Sequence, residues 1–397
     1  MTRARDLLAR VPVQLPTRRT PVNVAEYRLA AKRRLPKVIW DYVDGGAEDE
    51  QTVAQNRAAF GRWALRPKIL VDVSKTDLSV TVCGQDVALP ILVAPTGLSG
   101  LTHHEGDWGL ARAAEANGTR AIVSTASNYS IEEVARATTE PPWFQLYPWG
   151  DRDFTATFID RAQRAGYSAM VVTVDVPIHG NRERDARNGM IVPPKFRTKQ
   201  IVDVATRPRW WIDLARHQRT VLANLAAPGD GTVQSVSRHN RLINPALDWD
   251  ELRWMRDVWN GPLLVKGVLD PGDAARCVEA GADGVVVSNH GGRQLDGAVA
   301  SLDALPPIVA EIGDRATVLI DGGIRRGSDV VKALALGADA VLVGRATLYG
   351  LAVDGEAGAS AVLGILRTEI ERALTLLGCP NARDVDRGYV VPTGGTS

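Results

Sequence analysis

Cysteine is scarce in this chain. The three present among 397 residues, Cys83, Cys277 and Cys379, lie far apart and form no C-x-x-C pair. This excludes a disulfide scaffold and a thiolate metal or redox motif, and it fits a reducing compartment. Long apolar runs are missing too: none reaches the roughly 18 residues of a membrane span. The N-terminus has no apolar stretch of the signal-peptide kind. Neither sign of charge prevails, since 47 Lys and Arg face 46 Asp and Glu, and a net charge of +1 argues against a chain-wide nucleic-acid footprint. No G-x-G-x-x-G opens a βαβ unit, so a dinucleotide held in that manner is not expected. What remains, 45% hydrophobic and 23% charged, is the composition of a globular chain with a sizeable core.

Residues 1–21 are rich in Arg, carry Asp6 as their sole acid, and read as a flexible N-terminal arm. From Val22 to about Phe60 the pattern is helical, with Asn23 as a cap and Pro36 opening a second helix before Gly45-Gly46. The segment LSVTVCG reads as a hairpin or lid over one end of the fold. Then a rhythm begins. Short apolar runs recur at Leu89–Pro95, Arg120–Ala126, Trp143–Pro148, Ala169–Asp175, Pro262–Gly267, Gly284–His290, Thr317–Gly323 and Ala340–Arg345, with helical stretches between most of them. Eight such strands predict a (β/α)₈ TIM barrel as one domain over 22–378, followed by a C-terminal tail, 379–397. An open doubly wound sheet is the alternative that the count of eight disfavours.

One connection is too long for a βα loop. The insertion, about 176–248, carries nine Lys or Arg between Lys195 and Arg241 against Asp203, Asp213 and Asp230. Within it Arg207–Arg219 reads as a helix with Trp210, Trp211, Ile212, Leu214 and Ala215 on a broad apolar face. Arg207, Arg209, Arg216 and Arg219 add positive charge, the pattern of a helix lying on an anionic membrane surface. A lid packed on the barrel mouth is the competing reading.

Active sites of this fold sit where the strands end. Those positions hold Thr96, Gly97, Ser124, Gln145, Tyr147, Thr173, Asp175, Lys266, His290, Arg293, Asp321, Gly323, Arg325, Gly344 and Arg345. In SNHGGR two glycines separate a base that titrates near neutrality from a guanidinium that grips carboxylates, which suits chemistry on a small carboxylic acid. A core histidine beside a surface arginine is the bland alternative. DGGIRRG and VGR place glycine amides and arginines where barrels bind phosphate, and Lys266 can neutralise charge on a cofactor ring, so flavin mononucleotide (FMN) is the expected cofactor. Taken alone, Asp175 can equally cap the next element, Tyr42 can be a core tyrosine, Arg182 a solvated charge, and Lys266 a structural partner or a Schiff-base lysine. His103-His104, read as extended, face opposite ways without a ligand cluster, so no metal is expected.

The motifs RLPKVIWDYVDGGAEDE, APTGLSG, STASNYSIE, WFQLY, TVDVPIHGNRERD, LLVKG, SNHGGRQLDG and DGGIRRGSDVVKALALGADAVLVGRATLYG are long and specific. Over about Val24 to Gly378 the chain resembles the FMN-dependent 2-hydroxy acid dehydrogenase and oxidase family. The resemblance implies oxidation of a 2-hydroxy acid to the 2-oxo acid. His290 would be the base and Asp175 its orienting carboxylate. Arg293 and Tyr42 would hold the substrate carboxylate, with Arg182 a second cation and Tyr147 a donor to the substrate oxygen. Thr96, Gly97, Ser124, Gln145, Thr173, Lys266 and Asp321 would line FMN, and Gly323, Arg325, Gly344 and Arg345 its phosphate. Gly97, where many oxidases of the family have alanine, matches the mandelate branch and an aromatic or bulky substrate. Electrons would pass to quinone or another carrier; the alternative is an oxidase that uses O₂ on a lactate- or glycolate-type substrate. A homotetramer is implied, cytoplasmic, with peripheral contact at the inner face of the membrane through 195–241.

Overall fold

Each of the eight apolar runs forms a strand, and their pairing closes a barrel. The strands are β1 (Ile91–Val93), β2 (Ile122–Ser124), β3 (Trp143–Leu146), β4 (Met170–Thr173), β5 (Leu263–Val268), β6 (Gly284–Val287), β7 (Thr317–Ile320) and β8 (Ala340–Val343). Neighbours are parallel from β2 round to β8 and on to β1, and a bridge between Val93 and Ala121 closes the last seam. Side chains of β1, β2, β3, β4, β6 and β8 are buried at every position. Helices cover the outer face and side chains fill the interior, so these strands read as unbroken apolar runs. The expected (β/α)₈ barrel is therefore the observed one. The computed structural model describes residues 20–190, 198–227 and 229–394. Most of the expected arm, the basic residues Lys195 and Arg197, and the last three residues lie outside them.

One end of the barrel is plugged. The strands Val80–Val82 and Gln85–Val87 form the expected hairpin. Gln85 accepts from Trp143 Nε1 at 3.2 Å and donates to the Ser168 carbonyl at 3.2 Å. Trp143 opens β3 and Ser168 precedes β4, so the hairpin sits at the N-terminal ends of the strands and leaves the opposite mouth for chemistry.

Two segments cover that mouth. From the N-terminal side come helices Val24–Arg34, Lys37–Asp44 and Gln51–Gly61. The first starts where expected, with Asn23 Oδ1 accepting from Glu26 N at 2.9 Å. The last turns Thr52, Asn56, Ala59 and Phe60 inward, a buried stripe at i, i+4, i+7, i+8 that includes two polar residues. From the other side comes the insertion, with helices Thr198–Ala205, Pro208–His217 and Thr232–Leu242. The tail packs back on the chain: Val390–Pro392 pairs with Trp63–Leu65, and Cys379 is buried.

Asn56 ties the N-terminal cover to the end of β6. It donates to Asn289 Oδ1 at 2.8 Å, accepts from Asn289 Nδ2 at 2.9 Å, and accepts from Ser301 N at 3.1 Å. Both asparagines are buried. Replacing Asn56 by Ala strands several of these groups without water, at a cost of about 1–3 kcal/mol. The expected result is a lower thermal midpoint of the holoenzyme by a few degrees; an unchanged midpoint would show that the pair contributes nothing.

Candidate active site

β6 is four residues long and buried throughout, and the chain turns sharply where it ends. His290, Gly291 and Gly292 follow one another at φ +57°, +65° and +74°. A left-handed residue other than glycine stores about 1–3 kcal/mol of strain and persists where surrounding contacts fix it. Here Ser288 Oγ accepts from His290 N at 3.0 Å, and Asn289 Oδ1 accepts from Gly292 N at 3.1 Å. Glycine is also required for space: a Cβ on Gly292 would lie 2.8 Å from the Val53 nitrogen. The turn sends the His290 side chain across to the end of β4, where its Nδ1 lies 2.9 Å from Asp175 Oδ1.

A buried lysine adds to the charge balance of this pair. Lys266 Nζ on β5 lies 3.0 Å from Asp321 Oδ2 and donates to Ser288 Oγ at 2.9 Å. Burial alone would lower the lysine pKa, but Asp321 and Asp175 outweigh it and raise the value. Burial would raise the Asp175 pKa, but His290 and Lys266 outweigh it and lower the value. For His290, burial lowers the pKa by more than Asp175 raises it, and Lys266 and Arg182 push the same way as burial. Near neutral pH the site therefore holds an ammonium, an ionised Asp175 and a neutral imidazole. An ionised carboxylate only accepts, so Nδ1 carries the ring proton and Nε2 keeps its lone pair. That is a base in working order.

Cations face it. Arg293 Nη1 donates to the carbonyls of Tyr42 at 2.6 Å and Gly45 at 3.2 Å, with its guanidinium carbon 5.0 Å from the Tyr42 ring centre. Arg182 Nε donates to the Arg293 carbonyl at 3.4 Å, and burial, with Arg293 adding, pushes its pKa down to about 10. The Tyr42 hydroxyl donates to the Gly97 carbonyl at 3.1 Å. Burial raises the pKa of Tyr147, which stays protonated and able to donate.

On the barrel side a polar rail crosses three strands. Ser124 Oγ donates to Gln145 Oε1 at 3.0 Å, and Gln145 Nε2 donates to Thr173 Oγ1 at 3.0 Å. Gly323 has φ +84°, and a Cβ there would lie 2.1 Å from the Asn56 carbonyl oxygen. Arg345 Nη1 and Nη2 bond the Gly291 and Gly45 carbonyls at 2.8 and 2.7 Å, and Nε bonds the Val43 carbonyl at 3.2 Å. Its side chain thus staples the three segments that meet at the mouth.

These residues surround one cavity of about 1180 Å³. Tyr42, Thr96, Gly97, Gln145, Tyr147, Thr173, Arg182, Lys266, His290, Arg293, Asp321, Gly323, Arg325, Gly344 and Arg345 all line it. Ser124 and Asp175 do not; each bonds a residue that does. FMN fits the donor set. The cavity exceeds the roughly 300–1,000 Å³ of ordinary ligand pockets, as a flavin plus a substrate requires. The buried Thr96 Oγ1 and Asp321 Oδ1 have no protein partner. Buried polar atoms are normally satisfied, so these two are ready for a ligand's polar groups.

Sequence reasoning missed Asn56 and Ser288; the competing reading of the insertion as a lid on the mouth named Trp210 and Leu214, which line the cavity's outer wall, but not Val204 or Val236. The signal for Asn56 was its place four residues after Thr52 on the inward stripe. The reading of His103-His104 is corrected. The chain there is not extended: after the 3₁₀ turn Ser99–Leu101 it turns again at the pair itself, where the His103 carbonyl accepts from Gly106 N at 3.0 Å. The two rings lie 4.5 Å apart, and His104 stacks on His217 at 3.7 Å. Asp213 accepts from His104 N at 2.9 Å and lies 2.6 Å from its ring nitrogen, which docks the insertion on the barrel.

The description "FMN-dependent dehydrogenase" matches residues 31–392 of the chain. The chain is 45% identical over 376 residues to an (S)-mandelate dehydrogenase of Pseudomonas putida, covering 94% of this chain and 95% of that one. It is also 45% identical over 375 residues to an L-lactate oxidase of a Nostoc species, covering 94% and 98%. The crystal structure of a monotopic membrane protein, (S)-mandelate dehydrogenase, superposes with a TM-score of 0.92 at 44% identity, covering 94% of this chain and all of that one.

The charge arrangement fixes a pH profile. A base whose pKa lies below the usual histidine value stays competent as pH falls through that value. The acid limb of kcat/KM is expected below the ordinary imidazole range. Asp175→Asn removes the group that raises the His290 pKa, so the limb moves further toward acid while the plateau rate falls by about 10²–10⁴-fold. A limb that moves toward alkali in this variant would contradict the assignment.

Proposed function

Because this chain belongs to the FMN-dependent dehydrogenase family, and so oxidises 2-hydroxy acids with FMN, we propose a specific member of that chemistry. Its substrate is an aromatic or otherwise bulky (S)-2-hydroxy acid of the mandelate type, and its electrons leave for a quinone or another carrier. The observation that carries the reading is the neutral His290, held by Asp175 and faced by two arginines, in a cavity whose outer wall is apolar. Bound FMN supplies a ring that accepts the two electrons.

The residues divide the remaining work. Arg293 and Arg182 hold the substrate carboxylate, and Tyr42 closes that subsite against Gly97. Tyr147 donates to the C2 oxygen. His290 Nε2 takes the proton that leaves the substrate, and Asp175 stabilises the imidazolium that results. Lys266 places positive charge where negative charge collects on the cofactor ring. Gly323, Arg325 and the backbone amides of Gly344 and Arg345, at the start of helix Arg345–Leu377, take the phosphate.

Gly97 supports the bulky substrate. A Cβ there would lie 3.1 Å from Ala126 Cβ and 3.8 Å from the Tyr42 hydroxyl, so its absence leaves room between strand ends and carboxylate subsite. The likeness to a lactate oxidase favours the second reading, an O₂-using enzyme for small acids. A substrate panel assayed anaerobically with an artificial acceptor, and aerobically for peroxide, separates them. Mandelate is expected to exceed lactate and glycolate in kcat/KM, with little peroxide formed. Preference for lactate with stoichiometric peroxide would overturn the proposal. His290→Ala is expected to lose about 10²–10⁴-fold in flavin reduction, measured in single turnover.

The insertion meets the membrane through a narrower surface than the helix pattern implied. Trp210 is buried and donates to the Leu101 carbonyl at 2.7 Å, and Arg219 pairs with Glu133 at 3.1 Å. Ile201, Val202 and Trp211 remain 62%, 57% and 42% exposed. Lys199, Arg209 and Arg216 are exposed on the same helices. No described helix is long and apolar enough to cross a membrane, so contact is peripheral. Co-sedimentation with anionic vesicles is expected at low salt and lost at high salt; absence of binding at low salt would make the insertion a lid alone.

A further inference from the structure

His239 stands in the cavity wall on the insertion helix Thr232–Leu242 and is buried. Much of the wall that the insertion contributes is apolar, including Val204, Trp210, Leu214 and Val236. Several polar groups of that wall are paired. Thr220 and Thr232 share a hydrogen bond of 2.6 Å, and His179 Nε2 lies 2.7 Å from Asn240 Oδ1. The imidazole of His239 is different. Its Nδ1 is sealed from solvent with no hydrogen-bond partner, and its ring contacts are Tyr147 at 5.4 Å and His179 at 6.1 Å.

Burial, with His179 and Arg182 adding, pushes the His239 pKa down to about 4, so the ring is neutral and carries one proton. Orphaned buried N–H groups are rarer than under-satisfied acceptors. The sealed Nδ1 therefore holds the lone pair, and Nε2 holds the proton. His239 offers an N–H donor in a wall where neighbouring polar groups, His179 with Asn240 and Thr220 with Thr232, are already paired.

We propose that His239 selects, among aromatic 2-hydroxy acids, those whose ring carries an oxygen acceptor for the Nε2–H. The inference rests on the aromatic substrate proposed above. Tyr147, which faces the C2 oxygen in that reading, is in ring contact with His239. The donor thus stands beside Tyr147 in the cavity wall, within reach of an aryl group carried on C2. A substrate without an acceptor leaves the donor unpaired once water is expelled. One with a ring oxygen satisfies it, and the difference appears as discrimination in kcat/KM.

The test uses mandelates bearing methoxy or ethyl at the same ring position, meta or para, so that oxygen is exchanged for methylene at nearly constant size. With the holoenzyme the methoxy compound is expected to be favoured about three- to tenfold at one position, the size of one neutral hydrogen bond. The ratio should fall to about one in His239→Leu and return in His239→Gln, whose amide also donates. A merely structural histidine would lower both substrates together and leave the ratio unmoved. A wild-type ratio near one at both positions, or a ratio kept in His239→Leu, overturns the proposal. If His239→Leu gives no folded holoenzyme, the wild-type ratio and its persistence in His239→Gln decide. Oxidation of lactate with no turnover of any mandelate would instead remove the aromatic reading, and this role with it.

Discussion

An ammonium almost without water is the constraint around which the mouth of the barrel is arranged. Lys266 is 4% exposed, and a buried cation is stable only where partners offset its lost hydration. Asp321 and Ser288 bond it directly, and Asp175 contributes from the next strand. Those partners have other duties. Ser288 Oγ also holds the backbone of His290 in its left-handed conformation, and Asp175 also orients the imidazole. One buried charge thereby bears on the shape of the turn and adds to what burial and the Asp175–His290 contact do for the ionisation of the carboxylate and the neutrality of the imidazole. Changing any one of the four is expected to disturb the others, because their effects are not additive at such distances.

The barrel was readable in the sequence because its strands are buried on both faces, which leaves runs such as ILV, MVVT and GVVV unbroken by polar residues. Seven of the eight expected runs overshoot their strands at the C-terminal end, as Gly284–His290 does where β6 stops at Val287, while β5 runs one residue past its expected end. The overshoot has a physical meaning: residues such as Asp175, His290 and Asp321 leave the ladder and stand at the mouth. The lining of the cavity was readable for the same reason, since polar groups at the ends of apolar strands have few structural uses. Contacts between segments distant in sequence were not readable. Asn56 meets Asn289 across 233 positions, and nothing local in QTVAQNRAAF marks a partner. The turn at Leu98–Leu101, just ahead of His103 and His104, depends on a leucine at positive φ that no propensity favours.

The insertion shows how one helix can serve two surfaces. Trp210 and Trp211 both line the cavity, yet one is buried and donates to the barrel while the other is partly exposed. Asp213, on the same helix, grips the His104 segment. The helix is therefore a wall of the substrate space on one side and an outer surface on the other.

The Arg345 staple carries a consequence for how the molecule is made. Its guanidinium bonds the carbonyls of Val43 and Gly45, some 300 positions earlier, together with that of Gly291. During synthesis the N-terminal helices leave the ribosome long before the residues that fasten them exist. At roughly 5–20 residues per second they wait on the order of tens of seconds. Through that interval the apolar faces of Val24–Arg34 and Lys37–Asp44 have no barrel to cover. Helix Val24–Arg34 later packs on Arg345–Leu377, the last long helix to emerge. Docking of the N-terminal cover is thus a late event in folding, completed only once Arg345 and the helix that it opens are available.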